Sequence, residues 1–177
     1  GDYHGLDVAG TFVISLQVTD DNGLVSSNDA RVTINAIPQD ALHVQLSWDS
    51  GSYDIDLHLI RAAGPYCSAD SCYYGNCKTT SLNRAEWDGV AGVTGGDPTL
   101  DIDDLSGYGP ENINVDFPLD GTYTVGVHAY SFTLSEPTWA TLKIFVNGAL
   151  AYEDARELVA GRDFWEGSEV EWANGAA

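Results

Sequence analysis

Carboxylates crowd one stretch of this 177-residue chain, residues 97–112. The stretch reads Asp-Pro-Thr-Leu-Asp-Ile-Asp-Asp-Leu-Ser-Gly-Tyr-Gly-Pro-Glu-Asn, with five acidic side chains and no Lys or Arg. Carboxylates held close together repel one another unless a counter-charge lies among them, and hard oxygen ligands of this kind suit calcium. The stretch therefore predicts a Ca2+ site.

A second acidic pair, Asp54 and Asp56, lies upstream in a segment with the alternation of a β-strand. Apolar residues occupy positions 55, 57 and 59, whereas Asp54, Asp56 and His58 fall on the opposite face. Carboxylates two residues apart on one strand face are separated by about 7 Å, at a rise of roughly 3.3 Å per residue. That spacing lets both reach one ion or two adjacent ions. We expect this strand and the 97–112 stretch to meet and to share calcium.

The predicted calcium ligands combine the two acidic segments: Asp54, Asp56, Asp101, Asp103, Asp104 and Glu111. Backbone carbonyls and water would complete about six to eight oxygen ligands. The stretch is not an EF-hand loop counted from Asp101, because Leu105 occupies its fifth position and Asn112 its twelfth. The alternative is that these acids are solvated turn residues, since Asp is common in turns.

The charge balance limits the partners that the surface can attract. The chain has 27 acidic and 7 basic residues and a net charge of −20. Nucleic acid and anionic membrane both need a basic surface, so neither is a predicted partner. No apolar run approaches the roughly 18 residues of a membrane span. The chain begins in strand-like sequence and contains no Met, which fits a processed product.

Three cysteines, Cys67, Cys72 and Cys77, lie five residues apart in one predicted loop. This is not the spacing of a zinc site, and no His lies beside them. We expect one local disulfide in a secreted protein, with one thiol left over. The spacing does not choose among the three pairings.

Short strands separated by frequent turn signals predict an all-β fold. We expect an antiparallel immunoglobulin-like or jelly-roll-type β-sandwich over residues 38–177, preceded by a β-hairpin over residues 1–37. Asn147-Gly148 is the strongest hairpin signal of the chain. Residues 62–96 are expected to form a long connection, and residues 154–161 a turn or a brief helical segment.

The N-terminal segment carries a family resemblance. Gly10-Thr-Phe-Val-Ile-Ser-Leu-Gln-Val-Thr-Asp-Asp-Asn-Gly, followed by Asp29-Ala-Arg-Val-Thr-Ile, resembles the last two strands of a PKD-type (polycystic kidney disease-type) immunoglobulin-like domain. Such domains have about seven strands. Two strands alone expose an apolar face and open edges, so we expect the hairpin to pack on a neighbouring copy, as an arm for self-association. The alternative is that it extends the sandwich of its own chain.

Four segments of the main domain occur in a recognisable order: Asp-Ile-Asp-Leu-His-Leu at 54–59, Leu-Asp-Ile-Asp-Asp at 100–104, Gly-Tyr-Gly-Pro-Glu-Asn at 107–112 and Gly-Thr-Tyr-Thr-Val-Gly-Val-His at 121–128. With them, residues 41–147 resemble an uncharacterised family of secreted bacterial β-sandwich domains, which often accompany PKD-type or von Willebrand factor A-type modules. The resemblance implies a secreted protein at the bacterial cell surface and no particular activity.

Two function classes follow from these features. The first is a secreted, calcium-stabilised structural module, such as a subunit of an extracellular filament or surface layer. The alternative is a carbohydrate-binding or adhesion module, in which Tyr73 and Tyr74 contact a surface glycan while Trp48 and Trp139 pack in the core. The chain lacks nucleophile-elbow, zinc-protease and phosphate-loop motifs, so we do not expect an enzyme.

Overall fold

A computed structural model describes residues 8–92, 94–130, 136–159, 161–175 and 177. The chain forms two compact units, Gly1–Ile37 and Pro38–Ala177. Every regular element in the described residues is a β-strand, and all the strand pairs are antiparallel. The predicted all-β class is therefore confirmed. No helix that could cross a bilayer occurs among these residues.

The first unit is a hairpin of β1 (Gly10–Leu16) and β2 (Ala30–Ala36). The predicted turn begins at Asp20, whose Oδ1 accepts hydrogen bonds of 2.9 Å from the backbone N–H groups of Asn22 and Leu24. Asp is favoured at such a position because its short side chain bonds the backbone that follows it. The predicted N-terminal hairpin is thus present.

One face of this hairpin is apolar. The register pairs Phe12 with Ile34 and Ile14 with Val32, so these side chains lie side by side. The exposed fractions of Ile14 and Val32 are 51 % and 54 %. An apolar stripe of the hairpin unit therefore remains open to solvent.

The second unit contains two sheets. Its strands are β3 (Leu42–Trp48), β4 (Ile55–Arg61), β5 (Ser71–Cys72), β6 (Thr99–Ile102), β7 (Glu111–Val115), β8 (Gly121–Ala129), β9 (Thr138–Val146), β10 (Ala149–Leu158) and β11 (Phe164–Trp172). One sheet has the order β10-β9-β3-β7-β6, and the other has the order β11-β8-β4-β5. Alternate apolar side chains of both sheets form one core, which is the β-sandwich that the sequence predicts.

Strand alternation determines which residues enter this core. Ile55 and Leu57 of β4 are completely buried, as the sequence predicts. Trp48 is also buried, whereas Trp139 is 50 % exposed, so its predicted place in the core is wrong. The reason is that successive side chains of a strand point to opposite faces. Leu142 of β9 points into the core, so Trp139, three residues earlier, points outward.

The C-terminal strands are longer than the sequence indicates. A turn or helical segment was expected over residues 154–161, but β10 continues to Leu158. It does so because β9 offers a partner along its whole length, down to the pair of Leu158 with Thr138. Asn147-Gly148 forms the predicted turn between these strands, with φ values of 49° and 78°.

The long connection between β4 and β6 contains the short strand β5 and a disulfide. Cys72 is bonded to Cys77, and Cys67 is the exposed free cysteine. The backbone N–H of Leu100 in β6 donates to the carbonyl of Cys77 at 2.9 Å. The disulfide-closed loop is therefore attached to the beginning of the acidic stretch.

A matched pair of substitutions tests this core. Leu142 is completely buried, whereas Leu82 is fully exposed. Leu142→Ala should lower the free energy of unfolding by about 2–5 kcal/mol because it leaves a cavity. Leu82→Ala should change it by less than about 0.5 kcal/mol. Chemical denaturation measures both, and equal losses would contradict the described core.

Candidate metal centre

The site begins at an open strand edge. Among the described residues, β5 pairs with β4 only at Leu59 and Ile60, so no strand pairs with the first half of that edge. The backbone N–H of Leu57 on this edge donates instead to Glu111 Oε2 at 2.7 Å. Glu111 is the first residue of β7 in the other sheet, and its side chain has no exposed surface. One carboxylate therefore joins the two sheets.

Two further carboxylates converge on Glu111. Asp56 lies on β4, and Asp103 follows β6. One ligand atom from each of Asp56, Asp103 and Glu111 lies within 4.8 Å of the other two. Asp56 is only 2 % exposed. The predicted meeting of the β4 strand with the acidic stretch is present for these three residues.

These carboxylates leave oxygen atoms without hydrogen bonds. Asp56 Oδ2, Asp103 Oδ1 and Glu111 Oε1 are buried and have no hydrogen-bond partner among the described residues. Asp56 Oδ2 lies 3.5 Å from His128 Nδ1, which exceeds ordinary hydrogen-bond length. Because buried polar atoms are normally satisfied, three such oxygens in one place indicate a site for a positively charged partner.

The fold also supplies a cation that the acidic stretch itself lacks. Lys78 Nζ forms an ion pair with Asp103 Oδ2. The lysine comes from the long connection, 25 residues before Asp103, so counting charges within the stretch missed it. One ammonium beside three carboxylates still leaves the cluster with excess negative charge if all three are ionised.

Burial and mutual repulsion oppose that ionisation. Burial, together with the charges of Asp56 and Asp103, raises the pKa of Glu111 to about 9. Burial likewise raises the pKa of Asp56. Burial and then the charges of Asp56 and Asp103 raise the pKa of Asp54 to about 6. A cation that binds here must displace the proton of Glu111 at neutral pH.

Asp54 and Asp104 lie at the border of the cluster. Asp54 and Asp56 line an open cleft of about 120 Å3 together with Tyr74. Asp104 bonds to its own loop, because its Oδ2 accepts a hydrogen bond of 2.9 Å from the backbone N–H of Gly109. Asp54 is therefore placed to contribute a ligand at the solvent side, whereas Asp104 shapes the turn.

Asp101 lies outside the cluster. It is exposed and accepts a hydrogen bond from Asn114 Nδ2. Partial burial of its carboxyl raises the pKa of Asp101, and so does the charge of Asp116, which lies in a different acidic group. Strand β6 ends at Ile102, so the alternation that would put Asp101 and Asp103 on one face does not continue to Asp103.

The outer face of β4 is covered by aromatic rings. Tyr73 stacks on His58 with ring centroids 5.5 Å apart, and Tyr74 contacts Tyr73 at 5.2 Å. Both tyrosines are half-buried. Sequence reasoning placed Tyr73 and Tyr74 as glycan contacts on a loop, whereas here they enclose the polar face of β4.

No family model matches the chain, and no solved structure matches it. The resemblances to a PKD-type domain and to secreted bacterial sandwich domains therefore stay predictions.

In the absence of divalent cations, the free energy of unfolding should fall as the pH rises. Folded Glu111 releases its proton at a pKa of about 9, whereas the ordinary value is 4.5. Its contribution to stability is therefore complete below the lower value and lost as the pH rises through the higher one. Asp54, with a pKa raised from 3.8 to about 6, adds an effect of the same sign. Melting temperatures in chelator across this range measure the trend.

Glu111→Gln isolates the contribution of Glu111. The amide cannot ionise, yet its oxygen can still accept from Leu57 N–H. The variant should therefore show a shallower fall of melting temperature with pH than the unchanged protein. An identical fall in both proteins would contradict the role given to Glu111.

Proposed function

We propose that the second unit is a calcium-stabilised β-sandwich module of a secreted, cell-surface protein. Asp56, Asp103 and Glu111 would hold the ion. The observation that carries this proposal is the convergence of three buried carboxylate oxygens that lack hydrogen-bond partners among the described residues. The role is structural, because the three residues come from β4, from the segment after β6 and from β7.

The donor set favours calcium over softer metals. All three groups are carboxylates, and hard oxygen donors of this kind suit Ca2+, which takes about six to eight oxygen ligands. Asp54 at the cleft, backbone carbonyls and water would complete such a shell. Flexible coordination also suits a site whose ligands come from separate segments, whereas Mg2+ requires a near-octahedral arrangement.

Calcium should stabilise the folded protein by mass action. A hundredfold excess over Kd should raise the free energy of unfolding by about 2.7 kcal/mol. Glu111→Gln and Asp103→Asn should each abolish most of this gain because each removes a charged ligand. Chemical denaturation with calcium and with chelator gives the difference for each protein.

Asp101→Asn is the matched control for this experiment. It removes a carboxylate from the same acidic stretch, but from outside the cluster, and should keep the calcium effect. If Asp101→Asn weakens the effect as much as Asp103→Asn does, a diffuse negative surface and not the cluster binds the ion. No stabilisation by calcium in the unchanged protein would refute the proposal.

The hairpin unit supports a second part of the proposal, association between copies of the chain. Half or more of the surface of Ile14, Leu16 and Val32 is exposed on its apolar stripe. Two-stranded units of this kind are marginal in water unless the stripe is covered. A second copy would bring an identical stripe, and pairing the two would bury both. Such a pairing of identical stripes closes a dimer, so a filament or surface layer would need a second, different contact between these dimers.

Sedimentation velocity with calcium tests the association. Ile14→Asp places a charge in the stripe and should shift the protein toward monomer. Thr33→Asp places the same charge on the opposite face of the hairpin, where Thr33 pairs with Val13, and should leave association unchanged. A monomeric unchanged protein at high concentration, or equal effects of the two variants, would count against the stripe as the contact.

The glycan-binding alternative gains no specific support from the site. Tyr73 and Tyr74 are in contact with each other and with His58 or Tyr130, whereas a sugar platform needs a free ring face. Surface-glycan binding stays a prediction.

A further inference from the structure

Two histidines share the outer face of β4 and β8 with Asp56. Asp56 is paired directly with His128 across the two strands, and His58 lies two residues farther along β4 on the same face. One ligand atom from each of Asp56, His58 and His128 lies within 4.8 Å of the other two. This triplet shares Asp56 with the cluster of Asp56, Asp103 and Glu111, and its other two members are different.

His58 has a nitrogen that the rest of the fold does not use. The residue is 1 % exposed, and its Nε2 has no hydrogen-bond partner among the described residues. Its Nδ1 lies 3.3 Å from the hydroxyl oxygen of Ser71. A histidine that ligates a metal through one nitrogen usually has its other nitrogen oriented by such a partner.

Packing around His58 holds the ring in place. Tyr73 stacks on it, and Phe164 contacts it with ring centroids 5.7 Å apart. Phe164 can approach because Gly126 has no side chain: a Cβ there would lie 2.3 Å from Phe164 Cζ. The imidazole is therefore fixed by its neighbours, as preorganised ligands are.

We infer that Asp56, His58 and His128 form a second metal site. It would bind a divalent cation that prefers imidazole ligands, such as Zn2+. Two histidines and one carboxylate are a common donor set for zinc, and such three-residue sites keep a fourth position for water. Calcium is a poor fit because it prefers oxygen ligands. His128 is the accessible member, with 26 % of its side chain exposed, and gives the ion a route from solvent.

This inference does not depend on calcium at the neighbouring cluster. Asp56 has two oxygens, so its carboxylate can serve either site, whereas Glu111 and the two histidines each belong to one site. Variants at Glu111 and at the histidines therefore separate the failure of one proposal from the failure of the other.

The experiment uses the whole chain with Cys67→Ser, because an exposed thiol binds zinc by itself. Co2+ is titrated as the probe and followed by its visible absorption, and Zn2+ is then added as a competitor. We expect binding of one Co2+, displaced by Zn2+, with calcium present throughout. His58→Gln and His128→Gln should each weaken binding by at least about a hundredfold, beyond the usual cost of losing an outer-sphere partner. Glu111→Gln should weaken Co2+ binding much less than either histidine variant does, because Glu111 belongs only to the neighbouring cluster.

His43→Gln is the matched control. His43 is also a strand histidine, 7 % exposed, but its Nδ1 lies 2.5 Å from Asn114 Oδ1, away from the triplet. The His43→Gln variant should bind Co2+ with the same affinity as the protein without this substitution. Equal losses in His43→Gln and His58→Gln, or no saturable Co2+ binding in the unchanged protein, would overturn the inference.

A measurement without substitution in the site guards against variants that do not fold. In imidazole NMR spectra of the chain, addition of Zn2+ should shift the ring signals of His58 and His128 and leave those of His43 in place. Unchanged signals from His58 and His128 at saturating Zn2+ would refute the site even if the glutamine variants were unfolded.

Discussion

Burial of three carboxylates at one point is the constraint on which the second unit depends. Asp56, Asp103 and Glu111 come from separate elements, and each loses hydration when the two sheets pack. The fold offsets part of this cost with the N–H of Leu57 and the ammonium of Lys78. What remains must be met by a proton or by a cation. The raised pKa of Glu111 means that a proton on this residue meets part of that remainder at neutral pH.

The sequence predicted much of this site because its signals are local. The alternation around Asp56 predicted a strand with an apolar and a polar face, and the core position of Leu57 follows from it. Lys78 could not be placed in the same way, because its contact with Asp103 depends on the path of a long loop. The divergence of Asp101 from Asp103 depends on where β6 ends, and propensity does not locate strand ends to a single residue. Trp139 shows the same limit, since a shift of one residue exchanges the two faces of a strand.

Strand β4 is buried on both faces although its sequence alternates. Its inner face enters the sandwich core, whereas the disulfide-closed connection and Phe164 cover the outer face. An alternating pattern normally marks one solvated face in an antiparallel sheet. In this protein the long connection covers the polar face of β4. Polar residues on that face, such as His58, are therefore buried. Packing on both sides holds the polar side chains of this layer in fixed positions, which is a requirement for side chains that bind a metal ion.

The bond from Leu57 N–H to Glu111 has a consequence for aggregation. An unpaired strand edge is a template on which a foreign strand can add, and native sheets protect such edges. Glu111 occupies the edge of β4 with a single carboxylate oxygen in place of a neighbouring backbone. An incoming strand would have to displace a buried acid that also belongs to the other sheet. The carboxylate that joins the two sheets thus also protects the first half of this β4 edge against the addition of a foreign strand.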